Sequence, residues 1–124
     1  MLVLAAALLF ALGLAHSVLG ERYILVCLFR RTDLPKLFGG TSFTTGTLRF
    51  AWHLTTIAWW AFAWLILLAA RRPLGSADVL RTAAVGCAVS GLFPIGFTRG
   101  RHLSWIVFFA AAVLLWFGAG AAGP

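Results

Sequence analysis

The chain is poor in the residues that do chemistry in water. Its 124 residues include no asparagine and no glutamine, and the only acids are Glu21, Asp33 and Asp78. Charged residues make up 10% of the sequence, against about 25% in a soluble domain. No phosphate-binding glycine loop, serine-nucleophile motif or CxxC pair occurs. The two cysteines, Cys27 and Cys87, read as small apolar packers at different depths, which argues against a disulfide between them. These shortages exclude a soluble catalytic domain. What fills the chain instead is apolar: 62% of residues, with a mean hydropathy of +0.98. That composition belongs to a membrane protein.

Length sets the span count. A helical span takes ~20 residues, so four use about 80 and leave roughly 44 for connections and ends. The first apolar run starts at Met1 and ends either near Gly20 or, as one long tilted helix, near Phe29. It lacks a basic segment before it and is followed by Arg22, the reverse of a secretory signal. Segment 32–46 holds Asp33, Pro35, Gly39 and Gly40 and reads as a connection. A second span, about 48–70, is rich in tryptophan and stops at Arg71-Arg72-Pro73. A third, about 79–97, carries small residues and Pro94, which should kink or end it. A fourth runs over about 103–118. The runs are continuous rather than alternating, which excludes a β-barrel. The expected fold is an all-α membrane protein, a four-helix transmembrane bundle forming a single domain.

Basic residues suggest an orientation. Arg22, Arg30, Arg31, Lys36 and Arg49 fall at the first connection and Arg99 and Arg101 at the third, against Arg71, Arg72 and Arg81 at the second. Seven against three puts the first and third connections in the cytoplasm and both termini outside, in a bacterial inner membrane. The formal charge of +7 is met by anionic headgroups of the lipid bilayer, and no soluble segment is long enough to offer a nucleic-acid face.

Ionisable residues inside a span are costly and mark a site by default. Up-and-down topology brings His16, Glu21, His53 and His102 to one half of the bilayer. Arg49, His53, Thr56 and Trp60 share a helix face, and Ser17 and Glu21 are likewise four apart. Gly13, His16 and Gly20 form a small-residue stripe that admits a close partner helix. His16 and Glu21 are about 140° apart on an ideal helix, so they reach one point only if the helix is distorted or ends near Gly20.

Three imidazoles and a carboxylate suit zinc, iron or copper, with three histidines and one open position as a known catalytic arrangement. Glu21 then serves as a fourth ligand, a partner holding a histidine tautomer, or a general base. Ser17, Arg49, Thr56 and Arg101 would surround this metal site, and a lipid-soluble substrate would meet it at headgroup level. Haem b is an alternative cofactor, held by two of the histidines with Arg49 or Arg101 on its propionates. Hydrogen-bonded anchoring histidines are the plain structural reading.

A third reading is a proton-coupled transporter or channel using Glu21. A lone acid in the first of four spans resembles the small multidrug antiporters, in which such a glutamate couples protons to cation exchange. That resemblance covers length, span count and Glu21, and Arg22 beside the acid departs from it. A fourth reading is an accessory subunit of a larger membrane complex, and the small-residue stripes also suit a homo-oligomer.

Overall fold

A computed structural model describes residues 1–121. Among them the chain is helical apart from its connections, with four helices long and apolar enough to cross a membrane: α1 (Leu2–Leu28), α2 (Ser42–Ala69), α3 (Ser76–Thr98) and α4 (Ser104–Ala121). The protein is an integral membrane protein. Each helix packs against its neighbours in sequence, α1 on α2, α2 on α3 and α3 on α4, with no close backbone approach between α1 and α4. The four therefore stand in an order set by the chain.

The interior is built mostly from small and hydroxylated residues, with Leu25, Phe50 and Pro94 as the larger buried side chains. Ala6, Ala63, Ala84 and Ala112 are buried together with Thr56, Ser90 and Thr98, while Leu8, Leu14, Phe62, Leu114 and Phe117 are exposed. This inverts the soluble pattern. Lipid is as apolar as leucine, so helices gain by close backbone packing and interhelical hydrogen bonds rather than by burying large side chains.

The first helical run does not stop at Gly20. Leu2–Leu19 is α-helical, Gly20–Leu25 widens into a π-helical segment, and Val26–Leu28 closes the helix. Within the wide segment the Val26 N–H reaches back to the Glu21 carbonyl. Such inserts are rare and frequently sit at functional sites. α3 continues four residues beyond Pro94, which is fully buried and accepts a hydrogen bond from Thr98 Oγ1 on its carbonyl. Pro94 therefore does not end the helix.

The connections are tight. Phe38 and Gly39 take positive φ, and Leu37 and Gly40 exchange two backbone hydrogen bonds around them. Asp78 caps the start of α3 by accepting from the Gly75 N–H at 3.1 Å, and the Arg72 guanidinium forks onto the same carboxylate. Asp33 caps no helix. It pairs with Arg31 in the first connection, and that hydrogen bond holds its carboxyl below the usual carboxylate range. Cys27 and Cys87 are both free thiols.

Candidate functional site between α1, α2 and α3

Two glycines let α2 come onto α1. A Cβ at Gly13 would lie 2.5 Å from Trp60 Nε1, and one at Gly20 would overlap the Trp52 indole. With the rings seated there, α2 donates a regular series of hydrogen bonds to α1 carbonyls. Trp60 Nε1 donates to Phe10 O, Thr56 Oγ1 to Gly13 O, and Trp52 Nε1 to His16 O, each at 3.2 Å. These carbonyls use a second lone pair, since each backbone oxygen offers two. The series fixes the register of the two helices and so decides what faces what beyond it.

Beyond it lies an ion pair. Arg49 forks onto Glu21, with Nη2 at 2.8 Å from Oε1 and Nε at 3.1 Å from Oε2. Both side chains are about one-third exposed. The guanidinium also stands over the Phe29 ring at 4.9 Å and the Phe97 ring at 6.0 Å. Arg49 is seven residues and His53 eleven residues past Ser42, about 10 and about 16 Å along the helix axis. A charge pair at that depth persists because each partner satisfies the other.

His53 connects the ion pair to the hydroxyls. Its Nδ1 is 2.9 Å from Ser17 Oγ, Ser17 Oγ is 2.8 Å from Thr56 Oγ1, and its Nε2 is 3.5 Å from Glu21 Oε2. Counting hydrogens gives this chain a direction. A carbonyl only accepts, so Thr56 donates to Gly13 O. Thr56 has one hydrogen, so its contact with Ser17 is a donation by Ser17. Ser17 has one hydrogen, so its contact with His53 is a donation by Nδ1–H. The chain therefore runs His53 to Ser17 to Thr56 to Gly13, and His53 is held in the Nδ1-protonated form.

That leaves Nε2 as the nitrogen facing Glu21. Without a proton it sets a lone pair against a carboxylate, and with one it forms an ion pair. Glu21 and Arg49 cancel in charge, so a proton on Nε2 takes the group from neutral to a single positive charge. From the third side Phe97 and Phe93 cover the imidazole, with ring centroids 5.9 and 6.1 Å away.

The other two histidines stand apart. His16 stacks on Trp52 at 4.5 Å between centroids, with Trp59 edge-on at 5.0 Å. Thr55 donates to Trp52 O at 2.7 Å, so its 2.8 Å contact with His16 Nε2 is a donation by the ring. His102 lies in the turn before α4. Its Nδ1 meets Ser104 Oγ at 2.8 Å, its ring stacks on Phe43, and Phe50 stands edge-on to it. Of the four residues expected to converge, Glu21 and His53 meet, and His16 and His102 face other partners. Among the described residues no three His, Cys, Asp or Glu side chains form a group that could hold a metal ion. The π-helical segment supplies a distortion after Gly20, yet His16 meets Trp52, Thr55 and Trp59 of α2 while Glu21 meets Arg49 and His53.

Arg49 has a second surface. It borders a cavity of about 370 Å³ with Ser42, Thr45, Thr98, Arg99 and Arg101, so Arg101 joins the site through Arg49 rather than through a histidine. A larger cavity of about 640 Å³ lies toward the other end of α2 and α3, walled by Trp60, Trp64 and Trp116. It holds none of the network. The spacing placed Trp60 on the face of Arg49, His53 and Thr56 but gave no sign of Trp52, although the glycine stripe signalled a close partner. No family model, curated protein or solved structure matches the chain.

Proposed function

We propose that this chain is a small proton-coupled membrane transporter or channel that loads and unloads a proton at His53 Nε2 against Glu21. The observation that carries the reading is the one-way donor chain from His53 to Gly13, which commits Nδ1 and leaves Nε2 as the exchanging nitrogen. Imidazole is the side chain suited to taking up and releasing protons near neutral pH. Arg49 forks onto Glu21 beside it, and Phe93 and Phe97 cover the imidazole.

A transition metal has less support at these residues. A dication wants three or four donors, whereas His53 and Glu21 supply two and the Arg49 guanidinium sits on the carboxylate. Haem b would need two imidazoles turned to a common space, and His16 and His102 are hydrogen-bonded elsewhere.

The proposed setting is a bacterial inner membrane with the first and third connections cytoplasmic and both termini outside. The seven-to-three distribution of basic residues supports that orientation. A homo-oligomer belongs to the same reading, because helices packed only on their sequence neighbours enclose no lumen of their own.

Reconstitution into liposomes under a pH gradient tests the proposal. Wild-type chain should dissipate the gradient, and Glu21→Gln and His53→Gln should each lose at least tenfold in rate. Folded wild type that moves no protons, or variants that match it, would contradict the reading. Labelling of cysteines placed in the first and second connections tests the orientation separately.

A further inference from the structure

The cavity beside Arg49 is lined by three arginines. Arg49, Arg99 and Arg101 border it, no acid does, and neither Arg99 nor Arg101 forms an ion pair among the described residues. Arg49 spends Nε and Nη2 on Glu21, which leaves other N–H groups of its five. The Ser42 hydroxyl on the same wall has no hydrogen-bond partner among the described residues, whereas those of Thr45 and Thr98 donate to carbonyls. The lining thus offers guanidinium forks, which match the geometry of phosphate oxygens.

The backbone adds a second observation. Arg99 follows α3 at φ 54 and ψ 40, the left-handed conformation that glycine adopts without strain at this position. Gly100, one residue later, is also at positive φ, so the turn carries an arginine where a second glycine would be easier. Strain of this kind persists where surrounding structure or function holds it.

We infer that this cavity binds a phosphate-type oxyanion, and that its binding draws a proton onto His53. The coupling rests on the proton-exchange reading of His53; the binding does not. An oxyanion at the cavity competes with Glu21 for Arg49. As Arg49 is shared, the Glu21 carboxylate is balanced instead by a proton on His53 Nε2, taken from water. His53 meets Ser17 and Glu21 from α1 and Phe93 and Phe97 from α3, while Thr56 and Arg49 of its own helix adjoin it through Ser17 and Glu21. Glu21 and Arg49 are thus the charges among them, and the coupling passes through that pair. By linkage, protonation of His53 strengthens anion binding by the same factor.

Two sources supply this chemistry, a free phosphate and an anionic phospholipid headgroup. The test uses the full chain in nanodiscs of zwitterionic lipid, titrated with inorganic phosphate in one arm and doped with phosphatidylglycerol in the other. Calorimetry reads binding, and a pH indicator in weakly buffered solution reads proton uptake. Saturable binding in either arm, weakened at least tenfold in Arg99→Gly and Arg101→Gln, supports the site and identifies the source. Arg99→Gly relieves the backbone, so it should melt no lower than wild type, and its loss of binding cannot be put down to unfolding. Absence of saturable binding in both arms, or binding unchanged in both variants, overturns the anion site and leaves the proton site standing. Proton uptake that accompanies binding and vanishes in His53→Gln supports the coupling. Binding without uptake overturns the coupling alone.

Discussion

His53 Nε2 stands 3.5 Å from Glu21 Oε2, while His53 Nδ1 is committed to Ser17 on the opposite side of the ring. The two nitrogens of one imidazole thus have different duties. One is fixed as a donor by a chain of hydroxyls ending on a backbone carbonyl. The other faces a carboxylate whose charge is already balanced by Arg49.

Ser17→Ala should cut that chain without emptying the site. Thr56 still donates to Gly13 O, and one interhelical hydrogen bond in a membrane is worth about 0.6 kcal/mol, rarely more than about 1.7. The variant should therefore fold, and its His53 should lose the bias toward the Nδ1-protonated form. Histidine nitrogen NMR combined with the liposome assay checks this: altered tautomer with reduced proton flux is expected.

Arg49→Met leaves Glu21 as an unmatched charge inside a span. Breaking a fully buried pair costs about 3–5 kcal/mol, and partial exposure here reduces the expectation to about 1–3 kcal/mol. Glu21→Gln added to Arg49→Met should recover much of that loss, because it removes the stranded charge. Unfolding in mixed micelles, arranged as a double-mutant cycle, reads the recovery, and strictly additive losses would show that the pair is not coupled.

Gly13→Leu and Gly20→Val should each push a tryptophan off α1. Overpacking costs about 1–3 kcal/mol, and displacing Trp52 also breaks its bond to His16 O. Gly86→Ala serves as control, since its Cβ would meet nothing within 4 Å. Micelle unfolding midpoints should fall for the first two variants and hold for the third.

The fold was legible because its signals are long. Apolar runs interrupted by Arg30-Arg31, Arg71-Arg72 and Arg99 to Arg101 outline four helices, and the all-helical fold follows. The face bearing Arg49, His53 and Thr56 was legible from their spacing, as was that bearing Ser17 and Glu21. The direction of His16 was not. It depends on the Trp52 indole filling the space that Gly20 leaves, and this contact between distant segments has no local signature. The partners of His102 were not legible either: its ring meets Ser104, Phe43 and Phe50, and the two phenylalanines lie far from it in sequence. The basic cavity was hidden too, because Arg49 and Arg99 are fifty residues apart and line one cavity where Gly46 packs closely on Phe97 O.

Elemental analysis of protein purified in mild detergent, without chelator or affinity metal, bears on the donor count. With two ligating groups and a guanidinium at His53 and Glu21, zinc, iron and copper should each be well below one per chain. A stoichiometric metal that disappears in His53→Ala would show that the histidines rearrange around it.

On the proposed reading, His53 exchanges its proton at Nε2 while Nδ1–H stays in place. Nitrogen NMR of histidine-labelled chain in lipid bilayers, followed across pH with His53→Gln to assign the signal, tests it most directly. Nδ1 should stay protonated throughout, and Nε2 should gain its proton on acidification. A neutral His53 carrying its proton on Nε2, or an Nε2 that never titrates, would contradict it.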